Sequence, residues 1–286
     1  MRRTVALLVL AVLAAGCSGA GGDERATSAS PTSSPPTTSV PRGEIDALFD
    51  VGGHKLHLYC KGSGSPTVVY LHGHSQQPGD ASGASAGALP TLVADKGHRF
   101  CGYDRANTGT SDKVPGPLDG KTTLADLHRL LQAAEIEPPY VLVGASFGGL
   151  FAYMYAVTYP KEVAGMVLLD ASFPEELDLE RYFPKDERWD HTEWKELEEQ
   201  VDQLTSYQQA HALLGNEPDI PMTYLLATPS GWTGPPAYEA VVLDHIARYV
   251  DRFSPGVLVE VKSPHYMEAA VPERIAQELE KVIAKA

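Results

Sequence analysis

Residues 144–148 read Gly-Ala-Ser-Phe-Gly, so that Ser146 lies two residues from a glycine on either side. Residues 140–143 before this run are β-prone and largely apolar, and residues 150–154 after it have a helical pattern. A serine on a sharp turn from a strand to a helix exposes its hydroxyl above the sheet, where it can act as a nucleophile. Ser146 is therefore the candidate nucleophile.

The same five-letter pattern occurs a second time, at residues 83–87 around Ser85. No strand-like run precedes Ser85, which lies among glycine, alanine and serine residues. Because the chemistry requires the strand, the turn and the helix together, the context favours Ser146. We interpret the copy around Ser85 as accidental.

The composition excludes several classes of protein. The 286 residues include 37 acidic and 23 basic side chains, a net charge of −14, which argues against a nucleic-acid partner. Hydrophobic residues make up 43% of the chain, enough for a sizeable core. Three cysteines cannot form a four-thiolate zinc site. Neither a metal-ligand cluster nor a dinucleotide-binding loop is visible, so the sequence predicts no cofactor.

The first residues have the pattern of an export signal. Arg2 and Arg3 precede an apolar run at residues 5–15, which predicts a signal peptide over residues 1–16, too short to span a membrane. The segment ending at Cys17 resembles the bacterial lipobox, although Ala14 stands where leucine is usual. That resemblance implies a lipid anchor on Cys17 at the outer face of the cytoplasmic membrane. Plain secretion is the alternative, and the paired arginines leave both the general and the twin-arginine export routes open.

Residues 17–43 are predicted to be a linker that follows the lipidated cysteine. Of the 26 residues at 18–43, 21 are Ser, Thr, Pro, Gly or Ala, which cannot bury enough apolar surface to fold. A flexible tether of this length spans on the order of 30 Å. The folded domain is therefore expected over residues 44–286.

Within that domain, strand-like runs alternate with helical patterns. The predicted strands are residues 44–51, 55–60, 67–71, 99–103, 140–143, 163–169, 222–227 and 256–261. Thr123 and Asp126 have the spacing of a capping box. Pro272 is expected in the first turn of the last helix, which would bury Ile275, Leu279, Val282 and Ile283. This alternation predicts an α/β fold with a mostly parallel sheet and ligand sites at the carboxyl ends of the strands.

Residues 175–199 interrupt this alternation with eleven acidic residues against four basic ones. One interpretation is a solvated helical surface. The other is an inserted cap over the active site, extending from about residue 173 to about residue 216. Its place between two predicted strands suits the second interpretation, and its charge could hold a substrate's amino group.

Four motifs in the expected order resemble the α/β-hydrolase fold, and the resemblance extends from about residue 44 to the end. They are the His-Gly pair after the third strand (His72 and Gly73), an Asp-Arg turn (104–111), the elbow at Ser146 and a histidine loop (263–265). Asn107 and Pro264 depart from the family pattern, which has glycine at both positions. The resemblance implies an eight-stranded, mostly parallel sheet with helices on both faces and a helical cap insertion.

The resemblance also implies a Ser-His-Asp triad. His265 matches the family's catalytic base. The usual loop for the acid, residues 228–234, holds no carboxylate, whereas Asp170 ends the preceding strand, where haloalkane dehalogenases and some other branches place their acid. Asp170 could instead cap only the strand end, and Asp219 and Asp244 are weaker candidates.

The backbone amides of His74 and Phe147 are the expected oxyanion hole. The resemblance thus implies an exported serine hydrolase that acts on small carboxylic esters through an acyl-enzyme. An aminopeptidase-like hydrolase acting on amides, a cofactor-free peroxidation enzyme and a non-enzymatic binding protein of the same fold are the alternatives.

A disulfide is expected between Cys60 and Cys101. If Cys17 carries lipid, these two cysteines remain, and export places them in an oxidising compartment. In the family's strand order their two strands are neighbours. The alternative is a pair of separate buried thiols.

Overall fold

The computed structural model of the chain describes residues 43–74, 86–185, 188, 195, 197–228 and 236–286. The predicted signal peptide, Cys17 and the linker up to residue 42 lie outside the described residues, as does Ser85.

The described residues form one eight-stranded sheet. Its strands are β1 (Ile45–Asp50), β2 (Lys55–Lys61), β3 (Thr67–Leu71), β4 (Arg99–Tyr103), β5 (Tyr140–Ala145), β6 (Val163–Leu169), β7 (Met222–Thr228) and β8 (Gly256–Lys262). They lie in the order β1-β2-β4-β3-β5-β6-β7-β8. β2 is antiparallel to both β1 and β4, and the other neighbours are parallel. The predicted fold class is therefore confirmed. The two ends of each predicted strand differ from the observed ends by at most two residues.

The consecutive apolar residues of the central strands follow from burial on both faces of the sheet. In β3, Val69 and Leu71 belong to one apolar cluster, and Val68 and Tyr70 belong to the other. Because successive side chains of a strand point to opposite faces, a strand covered on both sides needs apolar residues throughout.

Helices cover both faces of this sheet. The helices of the described residues are α1 (Leu89–Asp95), α2 (Gly120–Ala133), α3 (Phe147–Thr158), α4 (Glu176–Leu179), α5 (Gln203–His211), α6 (Pro236–Val250), α7 (Met267–Ala270) and α8 (Pro272–Ile283). α1 and α8 contribute to one apolar cluster, and α2 and α3 contribute to the other. The last helix begins at Pro272 as predicted, but Ile283 is only partly buried.

The predicted capping box at Thr123 is wrong. The helix is capped by Asp119, four residues before Thr123, and the carboxylate of Asp119 accepts the N–H of Thr122 at 2.8 Å. Thr123 and Asp126 instead lie buried inside α2, where Asp126 binds His54 and Arg129. Asp119, about one turn before Thr123, accepts an N–H group of the first turn, so the helix does not need Thr123 as a cap.

Cys60 and Cys101 are direct partners in the register of β2 and β4. Their sulfur atoms lie 2.15 Å apart, which is disulfide distance. Both side chains are fully buried in the same apolar cluster. The strand order and the register of β2 and β4 therefore bring the two expected cysteines together.

The residues between β6 and β7 contain helical elements that are not part of the layers over the sheet. We call residues 173–216 the cap segment. Its described elements are α4, a 3-10 helix at Glu180–Tyr182, and α5. α5 packs against α2 and α3. The start of α3, where Ser146 lies, is therefore next to the cap segment.

Candidate active site

The loops after β3, β5, β6 and β8 leave the sheet at one edge, because these strands all run in the same direction. This edge is where open α/β sheets bind ligands. It carries the loop at residues 72–74, Ser146, Asp170 and His265. The fold thus gathers the sequence-predicted site residues at the carboxyl ends of the strands.

Ser146 joins β5 to α3 in a strained conformation, with φ of +49° and ψ of −127°. The close approach of other backbone atoms explains why residues 144 and 148 are glycines. A Cβ on Gly148 would lie 2.1 Å from the carbonyl oxygen of Leu71, and a Cβ on Gly144 would lie 2.6 Å from Cα of Gly149. Since no side chain fits at either place, only glycine allows this turn. The geometry is that of a nucleophile elbow, which holds the serine above the sheet.

Asp170 follows β6 directly and is held by the neighbouring strand. Its N–H donates to the carbonyl of Leu225 at 2.8 Å, and its Oδ1 accepts the N–H of Ala227 at 3.2 Å. Its φ of +41° is unusual for a residue other than glycine. Such strain persists only where surrounding contacts fix it, and it is frequent at functional sites.

His265 meets Asp170 across the site. Its Nδ1 lies 2.6 Å from Oδ2 of Asp170, a distance typical of a charge-assisted hydrogen bond. The hydrogen bond from Asp170 raises the pKa of His265, burial lowers it, and the negative charge of Asp170 raises it further, so that the net shift is upward. With the proton on Nδ1 bound to the carboxylate, Nε2 is the ring nitrogen that can accept a proton.

Gly73 brings the loop after β3 against Ser146. A Cβ on Gly73 would lie 3.2 Å from Cβ of Ser146 and 3.8 Å from its hydroxyl oxygen. His72 beside it is fully buried, and burial first, then the charge of Arg105, lowers its pKa to about 3. His72 is thus neutral. Its Nδ1 donates to the carbonyl of Gly73 at 2.7 Å.

His74 and Phe147, the residues whose amides were predicted as oxyanion donors, are neighbours in the fold. Their rings meet edge to face with centroids 5.7 Å apart. Burial lowers the pKa of His74, so its ring is uncharged near neutral pH. α5 contacts both residues: Gln203 Nε2 lies 3.2 Å from Nδ1 of His74, and the Tyr207 ring lies 5.7 Å from that of Phe147.

Arg105 is a buried cation that sequence reasoning placed only in a turn motif. Its Nη1 and Nη2 donate to the carbonyls of His72 and Gly73, each at 2.7 Å. Its Nε donates to the carboxylate of Glu199, and the guanidinium lies over the ring of Phe151. Burial raises the pKa of Glu199, but the charge and hydrogen bond of Arg105 outweigh it and lower that pKa overall. Arg105, from the loop after β4, therefore joins the loop after β3 to Glu199 of the cap segment.

A second polar cluster beside the elbow was also missed. The hydroxyl of Tyr207 donates to the carboxylate of Glu176 and lies 3.0 Å from Oγ of Ser172. The N–H of Ser172 donates to the carbonyl of Ser146 at 2.9 Å. Burial raises the pKa of Glu176 to about 7, although three hydrogen bonds oppose it. No local sequence pattern distinguishes Glu176 from the acids around it.

The interpretation of residues 175–199 as a solvated surface does not hold for all of its acids. Glu199 is fully buried and forms an ion pair with Arg105. Glu175 is also buried, and its Oε1 lies 2.7 Å from Nη2 of Arg252. Glu176 is partly buried on Tyr207. Three of the acids that suggested a solvated face are thus bound within the protein.

The competing histidines and acids lie elsewhere. Asp244 forms an exposed pair with Arg248 on α6, and His128 packs on Tyr159. Within the part of the chain that the structure describes, no group of three or more His, Cys, Asp or Glu side chains could hold a metal ion. In the same residues, no helix combines the length and the apolar character that a membrane span requires.

Residues 66–228, more than half of the chain, match the model of the α/β hydrolase fold family. The chain belongs to this family. The match begins before β3 and includes the loop at residues 72–74, Ser146 and Asp170.

The individual relatives share only part of their sequence with this chain. The chain is 30% identical to the uncharacterized protein YbdG of Bacillus subtilis over 133 residues, 45% of this chain and 38% of that protein. It is 32% identical to a putative proline iminopeptidase of Mycoplasma pneumoniae over 125 residues, 42% of this chain and 38% of that protein. It spans less than half the length of either. A mutant epoxide hydrolase of Vigna radiata has a similar fold, with a TM-score of 0.65 and 15% identity over 85% of this chain and 99% of that one.

Proposed function

We propose that this protein is an extracytoplasmic, lipid-anchored serine hydrolase that cleaves carboxylic esters through an acyl-enzyme formed on Ser146. The observation that carries the proposal is the 2.6 Å contact between His265 and Asp170 at the sheet edge where Ser146 forms an elbow. A serine hydroxyl needs a base, and an imidazole oriented by a carboxylate is the base that such enzymes use. Membership of the α/β hydrolase family agrees with this chemistry.

The acylation step follows from these roles. The hydroxyl oxygen of Ser146 attacks the ester carbonyl carbon while His265 Nε2 takes the hydroxyl proton. The carbonyl π electrons move to oxygen, and the N–H groups of His74 and Phe147 bind the resulting oxyanion. When the tetrahedral intermediate collapses, His265 passes the proton to the departing alkoxide, which leaves as an alcohol.

Deacylation repeats the same sequence with water. His265 takes a proton from water, whose oxygen attacks the acyl carbon of the Ser146 ester. The second tetrahedral intermediate expels the Ser146 oxygen, which regains a proton from His265. Asp170 stabilises the imidazolium in both halves of the reaction and stays ionised throughout. The products are a carboxylic acid and an alcohol, and no cofactor is used.

The export and anchor part of the proposal is supported by the sequence of residues 1–43. The short apolar segment, Cys17 and the Ser/Thr/Pro-rich linker together favour a lipoprotein whose catalytic domain is tethered outside the membrane. The substrate is then a small extracytoplasmic ester.

Cleavage of a peptide bond after a free amino group is the second candidate. The similarity to a putative proline iminopeptidase favours it, as does the carboxyl of Glu176, which Tyr207 and Ser172 connect to the elbow by hydrogen bonds. A series of ester and aminoacyl substrates with graded acyl length distinguishes the two, because an aminopeptidase requires the free amino group and an esterase does not.

A fluorophosphonate probe tests the proposal. The wild-type protein should be labelled on Ser146 and should hydrolyse p-nitrophenyl esters, and Ser146→Ala should lose both properties while it stays folded. Ser85→Ala is the matched control, because it alters the other Gly-x-Ser-x-Gly run, and it should retain both. Labelling that disappears in Ser85→Ala alone would contradict the assignment, and a wild type that is never labelled would favour a non-enzymatic binding protein.

A further inference from the structure

One peptide group connects the buried ion pair to the proposed oxyanion hole. The carbonyl of Gly73 and the N–H of His74 belong to the same trans peptide, so they point in opposite directions. The carbonyl accepts two hydrogen bonds, from Arg105 Nη2 and from His72 Nδ1, each at 2.7 Å. Two donors on one end of a planar group fix the direction of its other end.

We propose that Arg105 is a positioning residue for the oxyanion hole, and that Glu199 of the cap segment positions Arg105. The guanidinium holds the peptide that carries the His74 N–H, and the carboxylate holds the guanidinium. This inference rests on the proposed function, since the direction of the His74 N–H matters to the rate only if Ser146 forms an oxyanion.

The guanidinium has the geometry that this role requires. It engages the carbonyls of His72 and Gly73 with two parallel N–H groups, which fixes two successive peptides at once. A lysine ammonium is a point charge on a flexible stem and cannot reproduce this planar fork. The positive charge also polarises the Gly73 carbonyl, which makes the His74 N–H a stronger donor.

Glu199 is itself held in place. Nδ2 of Asn107 donates to the carbonyl of Glu199 at 3.3 Å, while Oδ1 of Asn107 accepts the N–H of Val114 at 2.7 Å. Asn107 has φ of +70°, a conformation that asparagine tolerates better than most residues. The asparagine that replaces the family's glycine therefore keeps the turn and adds a contact to the cap segment.

Other residues of the cap segment contact the proposed oxyanion hole. Gln203 contacts the His74 ring, and Tyr207 packs on Phe147, so each proposed donor residue touches α5. These contacts extend from Glu199 along the chain into α5. The cap segment is therefore coupled to the reacting edge of the sheet by side chains that do not touch the nucleophile.

Arg105→Lys and Glu199→Gln test the inference on a p-nitrophenyl ester that the wild type hydrolyses. Misaligning one oxyanion donor weakens binding of the transition state but not of the ground state. Arg105→Lys should therefore lower kcat by about 10- to 100-fold and leave KM within about two-fold. A trifluoromethyl ketone with the same acyl chain, which forms a tetrahedral adduct on the serine, should lose affinity by about the same factor as kcat. Glu199→Gln should act in the same direction.

Arg252→Lys is the matched control. Arg252 binds Glu175 in the cap segment at 2.7 Å, so the variant weakens a cap ion pair that does not touch the loop after β3. It should keep the wild-type kcat and ketone affinity. If Arg105→Lys does not fold, the kcat and ketone affinity of Glu199→Gln test the inference.

The outcomes separate the inference from the proposed function. An active wild type whose Arg105→Lys and Glu199→Gln variants keep both kcat and ketone affinity overturns the inference alone. Equal losses in Arg252→Lys would also overturn it, because the effect would then be general loosening of the cap. A wild type without hydrolysis or labelling overturns the proposed function and this inference with it.

Discussion

The Nδ1 atom of His265 lies 2.6 Å from Oδ2 of Asp170, although 95 residues separate them along the chain. The other carboxylate oxygen of Asp170 accepts the N–H of Ala227 at the end of β7. The carboxylate thus caps a strand end with one oxygen and orients the imidazole with the other. The two roles considered for Asp170 from the sequence are compatible.

Asp170→Asn should lower kcat by on the order of 10³- to 10⁴-fold, because the imidazole loses its orienting partner and the charge that stabilises the imidazolium. Steady-state hydrolysis of an ester measures the loss. Asp244→Asn removes an exposed carboxylate on α6 and should leave the rate unchanged. A fully active Asp170→Asn enzyme would show that another acid serves His265.

The dependence of kcat/KM on pH should report the titration of His265. The base works only when neutral, so activity should rise as pH passes through its pKa, which the Asp170 hydrogen bond places above the ordinary value near 6.5. In Asp170→Asn the main cause of the increase is gone while burial still lowers the pKa. The midpoint of the acidic limb should therefore move to lower pH, and an unchanged midpoint would contradict this origin of the shift.

Glu176 should make the protein less stable as pH rises from about 4.5 to about 7. Burial raises its pKa from 4.5 in the unfolded chain to about 7, so between these values the folded state binds more protons than the unfolded state. Stability therefore falls over this range, by on the order of 3 kcal/mol in the free energy of unfolding for this group. Urea denaturation at about pH 5 and about pH 8 should show that Glu176→Gln, which is neutral throughout, lacks this loss.

Asp178→Asn is the control for that measurement, because Asp178 is a partly exposed acid of the same helix α4. It should keep the wild-type fall in stability between the two pH values. An identical fall in Glu176→Gln would mean that Glu176 ionises in the folded protein at its ordinary pH.

The pair Cys60 and Cys101 should contribute to stability rather than to rate. The residues are separated by 41 positions, and closing such a loop stabilises by about 4 kcal/mol in the chain-entropy model. The double variant Cys60→Ala/Cys101→Ala should lose about this much in urea denaturation and keep its kcat, since β2 and β4 carry none of the proposed triad residues. Two alkylatable thiols in the unreduced, denatured protein would refute the bridge.

Cys17 carries the predicted anchor, and Cys17→Ser should release the protein from membranes into the medium. The linker serine variant Ser28→Ala should remain with the membrane fraction. Fractionation of cells that express each form, followed by immunoblotting, measures the distribution. Membrane association that survives Cys17→Ser would count against lipidation.

The sequence by itself determined the strands and the positions of the chemical groups relative to them. Residues 67–71, 99–103 and 163–169 were predicted with the observed bounds, because strands buried on both faces are continuous apolar runs. Ser146 and Asp170 each come directly after such a run, and His265 follows the edge strand β8. The loops at the carboxyl ends of parallel strands lie at one edge of the sheet. Local pattern together with one family resemblance was enough to name them.

Only the tertiary structure decided which distant groups pair inside the protein. Arg105 binds Glu199 from 94 positions away, and Tyr207 binds Glu176 across 31 positions. Nothing in the sequence of residues 175–199 distinguishes the acids that are bound inside the protein from the other acids of this segment. A solvated helical surface and a segment with some buried acids have similar charge patterns. Burial makes the difference: an acid removed from water needs a partner, and the fold of the cap segment against the sheet edge determines which acids are removed and which partners they meet.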